Sequence, residues 1–301
     1  MATTDLMPHP GRRQSLTSRL QDYYTLTKPE VNLLILITTS AGYYLGSRGG
    51  FHGLGLANTL IGTLLVASGT ATLNQYMERV YDAQMRRTAS RPVASGRMPA
   101  AEALVFGLVL SISGGVFLWA TVNLLAAVLA VSTLLSYLLV YTPLKRVTPL
   151  CTLLGAIPGA MPTLIGWAGG SNGLNRQAWF LFAILFLWQF PHFLAIALMY
   201  REDYARAGYK MLPGFDAEGR FTRAEIVGFT LALIAVTVLP ALTGAGFTMG
   251  YLLSMGVAGA FFLYYSGKLA ATGSRVSASR LVHASVIYLP AVFAIMIICK
   301  R

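Results

Sequence analysis

The 301-residue chain is 55% hydrophobic and only 11% charged, with a formal net charge of +12. Together with a mean hydropathy of +0.60, this composition excludes an ordinary soluble domain and points to an all-α polytopic membrane bundle. The basic excess reads as topology and not as a nucleic-acid surface, because 19 of the 23 lysines and arginines fall on one set of alternating segments between apolar runs, leaving only Arg48, Arg176, Lys300 and Arg301 on the other side.

Residues 1–28 mix Asp5, Arg12, Arg13, Arg19, Asp22 and Lys28 with no apolar core of their own, which predicts a cytoplasmic N-terminal segment and no signal peptide. A single transmembrane domain over 29–301 is expected to follow. Its nine apolar stretches lie near 31–48, 54–77, 101–122, 124–142, 149–168, 178–199, 224–243, 247–267 and 281–299. They are expected to surround a central cavity that opens near the cytoplasmic side. The outer loops are short, as at Gly49-Gly50, whereas the inner loops 78–100 and 200–223 are long and charged, and all eleven acidic residues lie on or just within that inner side. The chemistry is expected there. Equal spacing of the two long loops hints at a pseudo-repeat.

Gly62 with Ser68 and Gly69, Gly155 with Gly159, and Gly256 with Gly259 are expected at helix contacts. Pro158, Pro162, Pro191, Pro240 and Pro290 are expected to kink their helices. Cys151 and Cys299 have neither disulfide nor metal-ligand spacing and read as packing residues.

The end of the second span carries the strongest chemical signal. Asn74, Glu78 and Asp82 are spaced i, i+4, i+8, so each is rotated about 40° from the last and all share one helix face. Arg86, Arg87 and Arg91 follow at once. Paired carboxylates for a hard divalent cation beside cationic clamps suit a metal-bound diphosphate, although charged residues at a helix end also suit a headgroup region. In the sixth span, His192 beside Pro191 is either hydrogen-bonded within the bundle or part of a substrate site. His9, His52 and His283 have no metal-ligand spacing to another histidine.

The pattern Asn74-x-x-x-Glu78-x-x-x-Asp82-x-x-Met85-x-Arg87-Thr88-x-x-Arg91-Pro92 resembles the first acidic motif of the UbiA-type intramembrane prenyltransferases. Four more blocks resemble the heme-directed branch of that family: Leu26-Thr27-Lys28-Pro29, Tyr141-Thr142-Pro143-Leu144-Lys145-Arg146, Leu187-Trp188-Gln189-Phe190-Pro191-His192-Phe193, and the run from Tyr200 to Pro213. The second acidic site departs from the superfamily pattern of spaced aspartates, since Asp203 stands nearly alone with Glu202 turned about 100° away.

The resemblance implies transfer of a farnesyl group from farnesyl diphosphate to a vinyl group of heme b. It implies magnesium held by Glu78, Asp82 and Asp203, with Asn74 orienting a ligand. It assigns diphosphate or propionate contacts to Arg86, Arg87, Arg91, Lys145, Arg146 and Lys210, and porphyrin contacts to His192, Trp188 and Tyr141. Tyr76, Tyr81, Tyr141, Trp188 and Phe193 are the aromatic candidates for stabilising an allylic cation. On a continuous helix, His192 and Asp203 lie about 16 Å apart on nearly one face. The implied setting is a bacterial inner membrane, and the implied protein partners are a heme A synthase or assembly factors of a terminal oxidase. Competing readings are prenylation of a quinone or chlorin precursor, a secondary transporter, whose polar groups belong near the midplane, and a heme-binding electron-transfer subunit, which needs paired axial ligands.

Overall fold

A computed structural model describes residues 15–47, 52–242 and 249–299. His9, the Gly49-Gly50 loop and the outermost ends of the first, seventh and eighth expected spans lie outside the described residues. Among those described, regular structure is helical throughout: α1 (Leu16–Leu26), α2 (Pro29–Gly46), α3 (Gly53–Asp82), α4 (Ala100–Thr121), α5 (Leu124–Leu144), α6 (Cys151–Ser171), α7 (Arg176–Met199), α8 (Arg201–Arg206), α9 (Arg220–Leu242), α10 (Met249–Thr272) and α11 (Arg275–Ile298). Eight of these, α3 to α7 and α9 to α11, are long and apolar enough to cross a membrane. The first expected span coincides with α2, whose polar residues Asn32, Thr38 and Thr39 point into the bundle. Asn32 Nδ2 donates to Ser68 Oγ (2.9 Å) and Thr27 O (2.8 Å), so its burial leaves no amide proton unmet.

Burial separates an inner pair of helices from an outer ring. In α6 and α7, 67% and 56% of the apolar window is buried inside the protein, against 22% in both α4 and α5. The last two therefore turn most of their surface to lipid. Helix α6 packs on α2, α3, α5 and α7, and α7 in turn on α9 and α11. One apolar core, including Leu164, Trp167, Trp188, Leu233, Phe262 and Tyr288, joins both halves.

Small residues set the tightest crossing, as expected where apolar burial does not drive helix association. A methyl group on Gly42 would strike the Thr163 carbonyl, and one on Gly166 would strike the Thr39 carbonyl, so α2 and α6 meet backbone to backbone. Gly62, Gly69, Gly155 and Gly159 are also contact positions, against Leu118, Ser111, Tyr141 and Gln189 respectively, and Gly259 packs on Ile234. Gly256 departs from the expectation because it faces open space. Helices α6, α7 and α11 run on through Pro158, Pro162, Pro191 and Pro290. Cys151 and Cys299 are free, the former buried with Sγ 3.9 Å from Met211 Sδ.

The inner loops are tied down. Helix α1 docks through Arg97 to Asp22 (3.0 Å) and through Arg19 to Glu102 (2.6 Å), while Leu26 packs with Val93, Met98 and Ala103. The N–H of Thr222 donates to Asp216 Oδ2 (2.7 Å), which caps α9 and holds that carboxyl below its ordinary range. Near its inner end α5 widens into a π-helical turn at Ser136–Tyr141, where Thr142 N–H and Oγ1 both donate to Tyr137 O. Pro143 has no N–H with which to continue the usual ladder.

Replacing Gly42 with Ala should destabilise the detergent-solubilised protein by about 1–3 kcal/mol through overpacking, whereas Gly256→Ala should stay within about 0.5 kcal/mol. Thermal unfolding of the two variants side by side measures the contrast.

Candidate active site

Helix α3 delivers its polar face to the bundle interior. Asn74, Glu78 and Asp82 retain 1%, 5% and 1% of their exposure, as the i, i+4, i+8 spacing requires. Asn74 and Glu78 are met by groups from distant segments, and Asp82 by the loop that follows α3. Asn74 Nδ2 donates to Thr142 Oγ1 (3.2 Å), and Lys28 Nζ donates to Asn74 Oδ1 (3.4 Å). Glu78 Oε1 accepts from both Lys145 Nζ (2.8 Å) and the Tyr209 hydroxyl (3.0 Å). Asp82 Oδ2 accepts from Arg91 Nη1 (2.6 Å), while its other oxygen, Oδ1, is buried with no hydrogen-bond partner among the described residues.

Burial is counteracted at Lys145, which lies just past the end of α5. Desolvation opposes its charge, yet Tyr141 and Glu78 outweigh that and hold the ammonium well above the ordinary lysine range. The Lys145 Nζ also sits 4.5 Å from the centroid of the Tyr141 ring. Lys28 has the opposite balance, since burial, with Arg91 and Lys145 nearby, pushes it down to about 7. Its backbone is left-handed (φ 50°, ψ 63°), a strained conformation for a residue with a side chain and unusual directly before proline.

The second inner loop closes over this face. Tyr209 and Ala207 pack with Met85, and Arg206 Nη1 reaches Gln84 O (3.4 Å). Lys210 is exposed, but its N–H donates to Lys145 O (2.7 Å), which fixes the loop beside the buried pair. Asp203 is nearly buried and pairs with Arg206 (3.1 Å), and Glu202 is exposed. The sequence expectation that His192 and Asp203 share one continuous helix is corrected here. Helix α7 ends at Met199, Tyr200 leaves helical geometry (φ −114°, ψ 26°), and Asp203 starts again on the short α8.

The remaining cations are outside this buried core. Arg87 Nη2 donates to the Tyr204 hydroxyl (3.3 Å) with its guanidinium 5.1 Å from the Tyr200 ring, Arg146 stacks on Tyr81 at 4.3 Å, and Arg86 is exposed. Deeper in the bundle, Trp188 and His192 stack with centroids 4.7 Å apart. A cleft of about 40 Å³ lies between Tyr141, Gly155, Phe193, Ile196, Tyr204 and Met211.

Glu78, Asp82 and Asp203 are each paired with a basic side chain, and no cluster of three or more His, Cys, Asp and Glu side chains arranged to hold a metal occurs among the described residues. The donor chemistry nonetheless fits magnesium, since all these groups offer hard oxygens and Asp82 Oδ1 is uncommitted. Sequence reasoning quoted Lys28, Thr142 and Tyr209 within blocks that resemble the family but gave none of them a role, because their contacts with Asn74 and Glu78 are long-range.

The model of the UbiA prenyltransferase family matches residues 35–289. The protein described as protoheme IX farnesyltransferase from Solibacter usitatus (strain Ellin6076) is 48% identical over 93% of this chain and 98% of its own length. Its counterpart of the same description from Koribacter versatilis (strain Ellin345) is 41% identical over 97% and 96%. Among solved structures, one described as a digeranylgeranylglyceryl phosphate synthase superposes with a TM-score of 0.76 at 20% identity, covering 94% of this chain and 99% of that one. A UbiA homolog from Archaeoglobus fulgidus bound to GPP and Mg2+ superposes at 0.64 with 14% identity, covering 91% and 99%. Both likenesses support the fold.

Removing one partner of the buried Glu78–Lys145 pair leaves an uncompensated charge, so Lys145→Met should lower stability by about 3–5 kcal/mol. The double change Glu78→Gln with Lys145→Met should recover much of that loss in a thermal-unfolding cycle, and Lys210→Met should cost little.

Proposed function

The chain belongs to the UbiA prenyltransferase family, and from that premise we propose that it joins the farnesyl group of farnesyl diphosphate to a vinyl group of heme b. The C1–O bond of the prenyl diphosphate breaks, a carbon–carbon bond forms to the vinyl group, and water supplies the hydroxyl of the hydroxyethylfarnesyl side chain. Heme O and diphosphate are the products. The observation that carries this reading is the buried α3 face, where carboxylates, an amide and cations from three other segments converge at the inner end of a membrane helix.

Glu78, Asp82 and Asp203 would hold magnesium, which when bound neutralises charge on the departing diphosphate. Asn74, kept in place by Thr142 and Lys28, orients the ligands around it. Arg91 and Lys145 already sit beside the carboxylates and can share their remaining N–H donors with diphosphate oxygens. Arg86, Arg87, Arg146 and Lys210 extend the cationic surface at its rim. The apolar walls near Tyr141 and Phe193 shield the allylic cation from bulk water, and aromatic faces stabilise it. Trp188, His192 and Tyr141 contact the porphyrin. A membrane setting suits both substrates, since the prenyl tail and the porphyrin are apolar. We place the α3 face on the cytoplasmic side of a bacterial inner membrane, on the strength of the basic-residue asymmetry.

Asp82→Ala and Asp203→Ala should each lower heme O formation by about 100-fold or more. Chelation of magnesium should abolish formation in the wild type. Mass spectrometry of the products from farnesyl diphosphate with heme b, run in parallel with 4-hydroxybenzoate, checks all of this. A prenylated benzoate without heme O would overturn the choice of acceptor.

A further inference from the structure

Two side chains that the diphosphate chemistry leaves unused, Trp188 and His192 of α7, are both fastened to one residue of the last helix. The Trp188 indole N–H donates to Ser285 O (2.8 Å), and His192 Nδ1 lies 2.7 Å from Ser285 Oγ. Ser285 is fully buried, and its hydroxyl also contacts Val282 O at 2.6 Å.

Proton counting decides the histidine's state. A hydroxyl has one proton, and a carbonyl can only accept, so the Ser285 proton is committed to Val282 O. The contact with His192 therefore requires Nδ1–H to donate to Ser285 Oγ. The imidazole is half-buried and makes no ion pair with a carboxylate among the described residues, which favours its neutral form. Nε2 is then a bare lone pair, with no hydrogen-bond partner among the described residues. Stacking on Trp188 at 17° fixes the plane in which that lone pair points.

We propose that Ser285 is a positioning residue that locks His192 as the Nδ1–H tautomer and thereby presents Nε2 as a nitrogen ligand to the iron of the porphyrin substrate. The arrangement matches that of metal-binding histidines generally, in which the far ring nitrogen is held by an oxygen acceptor. The iron assignment rests on the heme reading above, whereas the tautomer does not.

The first measurement needs no heme. In the full-length detergent-purified chain with 15N-labelled histidine and His9, His52 and His283 replaced by Gln, the single remaining imidazole should show a pyrrole-type Nδ1 and a pyridine-type Nε2. A protonated Nε2 overturns the proposal. In the second measurement, heme b is added to the wild-type chain and its axial ligand is read by magnetic circular dichroism and resonance Raman. Wild type and Ser285→Thr should show the nitrogen-ligand signature, and His192→Ala and Ser285→Ala should lose it. An unchanged signature in either alanine variant overturns the proposal, as does loss of the signature in a folded Ser285→Thr protein. Should the wild type bind no heme b, the functional reading itself falls and the iron assignment with it, which the heme-free tautomer measurement distinguishes from failure of the Ser285 lock.

Discussion

The polar end of α3 is arranged around the burial of Glu78. A carboxylate inside a membrane helix is tolerable only when its charge and lone pairs are met, and here an ammonium and a phenol meet them from segments 67 and 131 residues away. That requirement draws the end of α5 and the loop after α8 onto α3. The backbone link from Lys210 N–H to Lys145 O then binds those two segments to each other. The same charge balance that keeps this region folded holds carboxylates and cations at hydrogen-bonding distance, the set of groups that the proposed metal-bound diphosphate would need.

The glycine crossing of α2 and α6 is the apolar counterpart of this polar knot. With carbonyls pressed against glycines in both directions, the two helices have little freedom to slide. Helix α2 thereby fixes Lys28 at its head, and α6 fixes the wall that Tyr141 packs against through Gly155. Helices α4 and α5 turn most of their surface to lipid, yet α4 lies close against α3 at Gly62, Gly69, Gly107 and Gly114, and the end of α5 is held by the Glu78–Lys145 pair.

Much of the architecture was legible in the sequence because its signals are local. Apolar length marks the spans, and the period of 3.6 puts Asn74, Glu78 and Asp82 on one face without any knowledge of what lies opposite. Two kinds of feature were not legible. The backbone break at Tyr200 carries no Gly or Pro, so the helix-compatible residues from His192 through Arg206 hide the point where α7 ends and α8 begins. Long-range partners are equally silent. Nothing near Ser285 or Tyr209 indicates that one will meet His192 and the other Glu78, since those contacts exist only once the bundle has closed.

The π-helical turn of α5 shows how one span can serve two environments. A helix that packs its flank in lipid has no reason to present the next turn toward the polar face of α3, because the two directions are fixed by the same winding. Each residue added to a turn rotates the remainder of the helix by about 100°. The widened turn at Ser136–Tyr141 thus acts as a phase shifter, uncoupling the outward stripe of Val131 and Leu135 from the inward Thr142 and Lys145. Insertions or deletions in this span are consequently constrained in number and not only in kind: a change of one residue turns the ammonium off its carboxylate, whereas a change of a whole turn preserves the bearing and alters only the depth.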